Sequence, residues 1–101
     1  MALTKNRLPV GDWLTGAIKP NQVNVGTTPT PLPTTALNHR RSIIVYNNGS
    51  NTVYLGDANV TVGNGLPMPP GGSYSFKLDV GVVLYGVVAS GTEDVRILEG
   101  S

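Results

Sequence analysis

The chain has 101 residues, a formal charge of +1, no cysteine and one histidine. These counts exclude a disulfide framework, thiol chemistry, a thiolate metal centre and a His-rich metal site. Charged residues make up 13% and apolar residues 40%, which excludes a disordered tail protein or a coiled coil and leaves no nucleic-acid footprint.

Val, Ile and Thr, stiff at χ1 and suited to a pleated sheet, supply 27 of the 101 residues. Gly, Pro and Asn, the turn formers, supply another 30. The balance predicts an all-β protein, a small antiparallel β-sandwich of six or seven short strands. Residues 1–41 read as an extended Pro/Thr-rich N-terminal arm and residues 42–101 as the sandwich domain.

Within the arm, Lys5 and Arg7 are not followed by an apolar run, so residues 1–19 do not read as a secretory signal. Trp13 lies in a segment too short to bury it, and either packs on its own domain or anchors in a neighbour. Residues 22–26 suit a short strand. The Thr/Pro tract over 27–35 favours an extended, PPII-like path and cannot form a central strand. His39, beside Arg40 and Arg41, has no partner set for catalysis.

From Ser42 the texture changes. Residues 42–47 (Ser-Ile-Ile-Val-Tyr-Asn) are apolar on both faces and predict a central strand. Asn47-Asn48-Gly49 then reads as a hairpin turn, with residues 52–56 as the return strand. Short strands are expected at 60–62 and 66–68, divided by the turn Gly63-Asn64-Gly65. Pro69-Pro70-Gly71-Gly72 is a hard stop. Residues 73–78 alternate, with Tyr74, Phe76 and Leu78 inward. Residues 82–89 are apolar on both faces, with Gly86 as a bulge or close-approach point. Residues 94–99 close the set, Val95 and Ile97 inward. Glu93-Asp94 reads as a solvated turn. The two Asn-x-Ser/Thr triplets, at Asn48 and Asn59, read as turn chemistry.

A sixty-residue sheet domain without a staple is marginal alone, so association with other subunits is expected. Residues 1–41 carry a net +4 and residues 42–101 a net −3. The arm therefore suits an acidic surface, on a sister subunit or a larger assembly. The candidate partner-binding residues are Lys5, Arg7, Trp13, Lys19, Arg40 and Arg41. Tyr46, Tyr54 and Tyr85 are candidate surface aromatics, which on one face would suit a glycan. No nucleophile elbow, phosphate loop or calcium loop is present, so no catalytic residue, metal or cofactor is predicted.

The runs Arg41-Ser42-Ile43-Ile44-Val45-Tyr46-Asn47, Val53-Tyr54-Leu55-Gly56, Leu66-Pro67-Met68-Pro69-Pro70-Gly71, Val83-Leu84-Tyr85-Gly86 and Asp94-Val95-Arg96-Ile97-Leu98-Glu99 resemble small all-β structural proteins of tailed-bacteriophage virions. Capsid decoration (cement) proteins are similar in design. The resemblance implies a jelly-roll-like homotrimer, made in a bacterial cytoplasm and carried on the virion, that clamps the major capsid protein. It implies no enzyme activity, nucleic-acid or membrane partner. A tail or head–tail accessory protein, or a carbohydrate-binding adhesion module, are the alternatives.

Overall fold

A computed structural model describes residues 14–101. The expected Trp13 anchor and the cations Lys5 and Arg7 lie outside the described residues. The described chain is all-β, with eight strands: β1 Ile18–Val25, β2 Thr30–Pro31, β3 Ser42–Asn47, β4 Val53–Gly56, β5 Leu66–Met68, β6 Ser73–Phe76, β7 Tyr85–Val87 and β8 Glu93–Gly100. They form two four-stranded antiparallel sheets packed as a sandwich, in the orders β1-β8-β3-β6 and β2-β7-β4-β5.

The alternation read from the sequence decides what faces inward. Ile43 and Val45 of β3, Val53 and Leu55 of β4, and Val95 and Ile97 of β8 are buried, with Val25, Leu32 and Met68, in one core. Tyr74, Phe76 and Leu78 pack against its margin. Gly86 is a close-approach point rather than a bulge. A Cβ there would lie 3.1 Å from Leu32 Cδ1 and 3.2 Å from Val53 Cγ1. The inward row of β8 runs Glu93, Val95, Ile97, Glu99, so two aliphatics are flanked by carboxylates that are themselves buried.

The change of texture at residue 41 is not a break in the fold. β1 runs antiparallel to β8 over its whole length, from Ile18 opposite Gly100 to Val25 opposite Glu93. β2 pairs with β7, and Leu32 is fully buried. Over residues 18–40 the arm is thus part of the sandwich, supplying an edge strand to each sheet and the core side chains Val23, Val25 and Leu32. The proline rule still holds, since Pro20 and Pro31 both lie on edge strands.

The segment after β3 differs from its expectation. β3 and β4 lie in different sheets, so Asn47-Asn48-Gly49 does not close a hairpin. It carries the chain across the sandwich. Asn47 is fully buried; its amide donates to the carbonyls of Asn51 (2.8 Å) and Met68 (2.9 Å), and its Oδ1 accepts from the Gly49 N–H (2.9 Å). One side chain thereby replaces the ladder that a hairpin would have supplied. Only β4 and β5 are consecutive strands of one sheet; every other connection crosses between sheets.

The segment 60–62 is not a strand. Asp57 Oδ1 accepts the Asn59 N–H, and the Asp57 carbonyl accepts that of Val60, folding the loop back. Val60 is buried under it against Gly56 and Gly65, so the apolar residues that suggested a strand serve as a plug.

Asn47→Ala removes three hydrogen bonds, so the Gly49 N–H and the Asn51 and Met68 carbonyls lose this side chain as a partner. The expected loss is about 2–4 kcal/mol, since each orphaned buried group costs on the order of 1–3 kcal/mol. Urea denaturation checks this, and a change within experimental error would show that the crossing does not depend on Asn47.

Candidate interaction surface

Arg40 is 2% exposed and Glu99 1%, and Arg40 Nη1 meets Glu99 Oε2 at 3.0 Å. Arg40, expected to reach a partner, is therefore held within the protein. The turn before it explains how. The Arg40 N–H donates to the Leu37 carbonyl, and His39 adopts the left-handed conformation at φ 58°. That reversal turns the guanidinium inward. His39 itself stays exposed.

The guanidinium does more than meet a carboxylate. Its Nη2 donates to the carbonyls of Asp79 (3.1 Å) and Val82 (2.6 Å), and its Nε to that of Leu78 (3.4 Å). The Leu37 N–H donates to the same Glu99 oxygen at 3.1 Å. Arginine suits this place because its rigid planar fork offers several donors at once. The loop after β6 is held from beneath, while Val80, Val82 and Val83 at its crest stay exposed.

A second polar cluster closes the opposite end of β8. Glu93, expected to be solvated, is buried: Oε1 accepts the Ser50 N–H (2.9 Å) and Oε2 the Asn51 amide (2.7 Å). Gly49 packs against this carboxylate so closely that a Cβ would collide with it. Asp94 accepts from the Arg96 guanidinium, the Asn48 amide and the Gln22 amide. Those bonds, that of Arg96 first, hold the Asp94 carboxyl far below the usual carboxylate range. The Asn51 amide, then the Ser50 N–H, lowers Glu93. The cluster pins the crossing between the sheets to both β1 and β8.

The other expected contacts fall on several surfaces. Lys19 is exposed on β1, opposite Glu99 in register. Arg41 is half-buried and engaged in the fold. Tyr46 points outward from the first sheet, whereas Tyr54 and Tyr85 point outward from the second. The three tyrosines lie on opposite sides of the sandwich and make no common platform for a sugar.

The second apolar face read in segment 42–47 lies on the outside of the first sheet and extends beyond that strand. Ile44 lies beside Leu98 on β8, and Leu98 beside Pro20 on β1. Ile18 and Tyr46 flank this row, and Leu14 lies across Gly100. Ile18, Ile44, Tyr46 and Leu98 are exposed by 39% to 65%. A solvated sandwich face alternates apolar-in with polar-out, and this one does not. The apolar residues on both faces of segment 42–47 were the available signal. Among the described residues, no three His, Asp or Glu side chains gather where a metal ion would be held. Among the same residues no helix is long and apolar enough to cross a membrane. No protein-family model matches the chain, and no curated protein matches it.

Two outcomes test the clusters. Arg40→Met, which leaves Glu99 buried without a counter-ion, is expected to cost about 3–5 kcal/mol by chemical denaturation. Adding Glu99→Leu should recover only part of that, because the Leu78 and Val82 carbonyls still lose the Arg40 donors, while the Asp79 carbonyl keeps the Val82 N–H; full recovery would reduce Arg40 to a counter-ion. For Asp94 and Glu93 the folded pKa lies below the unfolded one. Their contribution is therefore complete above about pH 5 and fades as pH falls toward about 2. Asp94→Asn should lower the melting temperature at neutral pH and flatten its decline on acidification.

Proposed function

We propose that the protein is a non-enzymatic structural component of a tailed-phage virion, of the capsid-decoration type. It is a jelly-roll-like sandwich that binds the outside of the head and bridges capsid subunits. The observation that carries this reading is the apolar outer face formed by Ile18, Pro20, Ile44, Tyr46 and Leu98. Contiguous exposed apolar surface marks a contact with another macromolecule. The buried ionic groups of the described residues serve the fold itself, which leaves surface complementarity as the working chemistry.

The mechanism is added contact. A protein that binds the assembled lattice and not its dissociated subunits stabilises the lattice by linkage. In this reading the apolar face supplies the contact area. Lys5, Arg7 and Trp13 precede the described residues and add a basic and aromatic anchor for an acidic neighbour. Lys19, exposed on β1, adds to that basic character.

Co-sedimentation with emptied heads of the phage that encodes the protein tests the proposal. The wild-type chain is expected to bind saturably and to raise the temperature at which the heads dissociate. Leu98→Lys, at the centre of the apolar face, should abolish binding while its own melting temperature changes little. Removing residues 2–13 should weaken binding. An intact wild-type chain that stays in the supernatant would sink the proposal.

A further inference from the structure

A sandwich of two four-stranded sheets has four edge strands, and here they are not alike. Each edge presents a row of backbone donors and acceptors that invites another strand unless it is blunted.

The bonding alternation shows which groups face out. On β1, the Ser101 N–H donates to the Ala17 carbonyl, so the odd-numbered residues turn toward β8 and Pro20 and Gln22 turn outward. Pro20 has no N–H, and the Gln22 N–H is taken by Asn21 Oδ1 at 2.9 Å. On β2, the Leu32 N–H donates to the Leu84 carbonyl, which leaves Pro31 outward. On β5, Pro67 has no N–H, and its carbonyl accepts the Tyr74 hydroxyl at 3.0 Å. Three edges are therefore blunted, each by a proline and two of them by a side-chain cap as well.

β6 has neither device. The Asn47 N–H donates to the Gly72 carbonyl (2.9 Å), so Tyr74 and Phe76 bond to β3, and Ser73 and Ser75 turn their backbone groups outward. Among the described residues no strand pairs with that side. The edge also borders a groove of about 310 Å³ lined by Ser42, Ile43, Ile44, Ser75, Phe76 and Lys77.

The geometry points to β6 as a self-association edge, at which a second copy of this chain adds its own β6 antiparallel about a two-fold axis through Ser75. This inference stands apart from the virion reading. The occupant is a second copy because the edge is complementary to itself. The outward groups of Ser75 face those of the other Ser75, and Ser73 falls opposite Lys77. Neither lysine then faces the other, and serines at 73 and 75 leave room on the outer face. On the inner face Tyr74 falls opposite the other copy's Phe76. The two rings, half-buried and 6.3 Å apart within one chain, would then meet the same pair from the neighbour. The product is a continuous eight-stranded sheet whose apolar outer faces abut. A two-fold contact of this kind closes at two copies, in place of the trimer that the phage resemblance implies.

Sedimentation equilibrium over a concentration series is the test. The wild-type chain is expected to approach twice its 10.6 kDa mass. Ser75→Pro removes the outward N–H on the axis, and Ser75→Lys sets two ammonium groups against each other there. Both should sediment as monomers, and circular dichroism should show unchanged β content. If Ser75→Pro misfolds, Ser75→Lys decides alone, because it keeps the backbone donor and acceptor. A wild-type chain that is monomeric or trimeric at every concentration overturns the inference, as does a dimer that survives Ser75→Lys.

Discussion

One guanidinium stands at the point where three segments of the chain meet. Arg40 joins the turn 37–40 to the carboxylate of Glu99 on the central strand β8 and to the loop after β6. Burying a charge costs several kcal/mol unless it is paired and its remaining donors are used. Here three backbone carbonyls and one carboxylate use them. An aliphatic side chain of similar volume would fill the space but would leave the Leu78 and Val82 carbonyls without the donors that Arg40 supplies. The pair therefore acts as a tie between segments more than as a source of Coulomb energy. It also explains why residues before position 41 belong to the same body as those after it.

Much of the fold was legible because period-two alternation is a local property. β3, β5, β6 and β8 fall close to where alternation and turn residues put them. Which strands pair was far less legible. Asn47-Asn48-Gly49 carries the same local cue for a hairpin and for a crossing between sheets; the choice is made by what Asn47 finds within reach, the carbonyls of Asn51 and Met68. Val60 and Val62 look like a strand in any window, and only the space left by Gly56 and Gly65 makes Val60 a plug. Arg40 and Glu93 read as surface charges because charged side chains usually are. Their burial depends on partners far along the chain, Glu99 for one and Asn51 for the other.

The two outer surfaces are managed differently. On the second sheet, the loop 57–65 folds Val60 over the outward side of β4, so that face is partly covered by its own chain. On the first, the outward residues of β1, β8 and β3 include a row of aliphatics with nothing above them among the described residues. Proline-blunted edges and a bare apolar face are consistent with one another. Lateral addition of strands is restricted at the three proline-bearing edges and left open at β6, while face-on contact remains available.

The longest ladder in the molecule joins its most distant parts, with Ile18 opposite Gly100 and the whole of β1 laid along β8. During synthesis on a ribosome, β1 emerges early and has no partner until residues 93–100 have cleared the exit tunnel. β3 can pair with β6 before that, but β8 lies between β1 and β3 and alone joins them. Completion of the first sheet is thus postponed until nearly all of these 101 residues are available, and a nascent chain stalled before β8 would leave Val23, Ile43 and Val45 without their β8 neighbours. Loop-closure entropy makes such non-local pairing slow to form even on a finished chain. Chaperones that shield extended apolar segments would meet this protein in that interval.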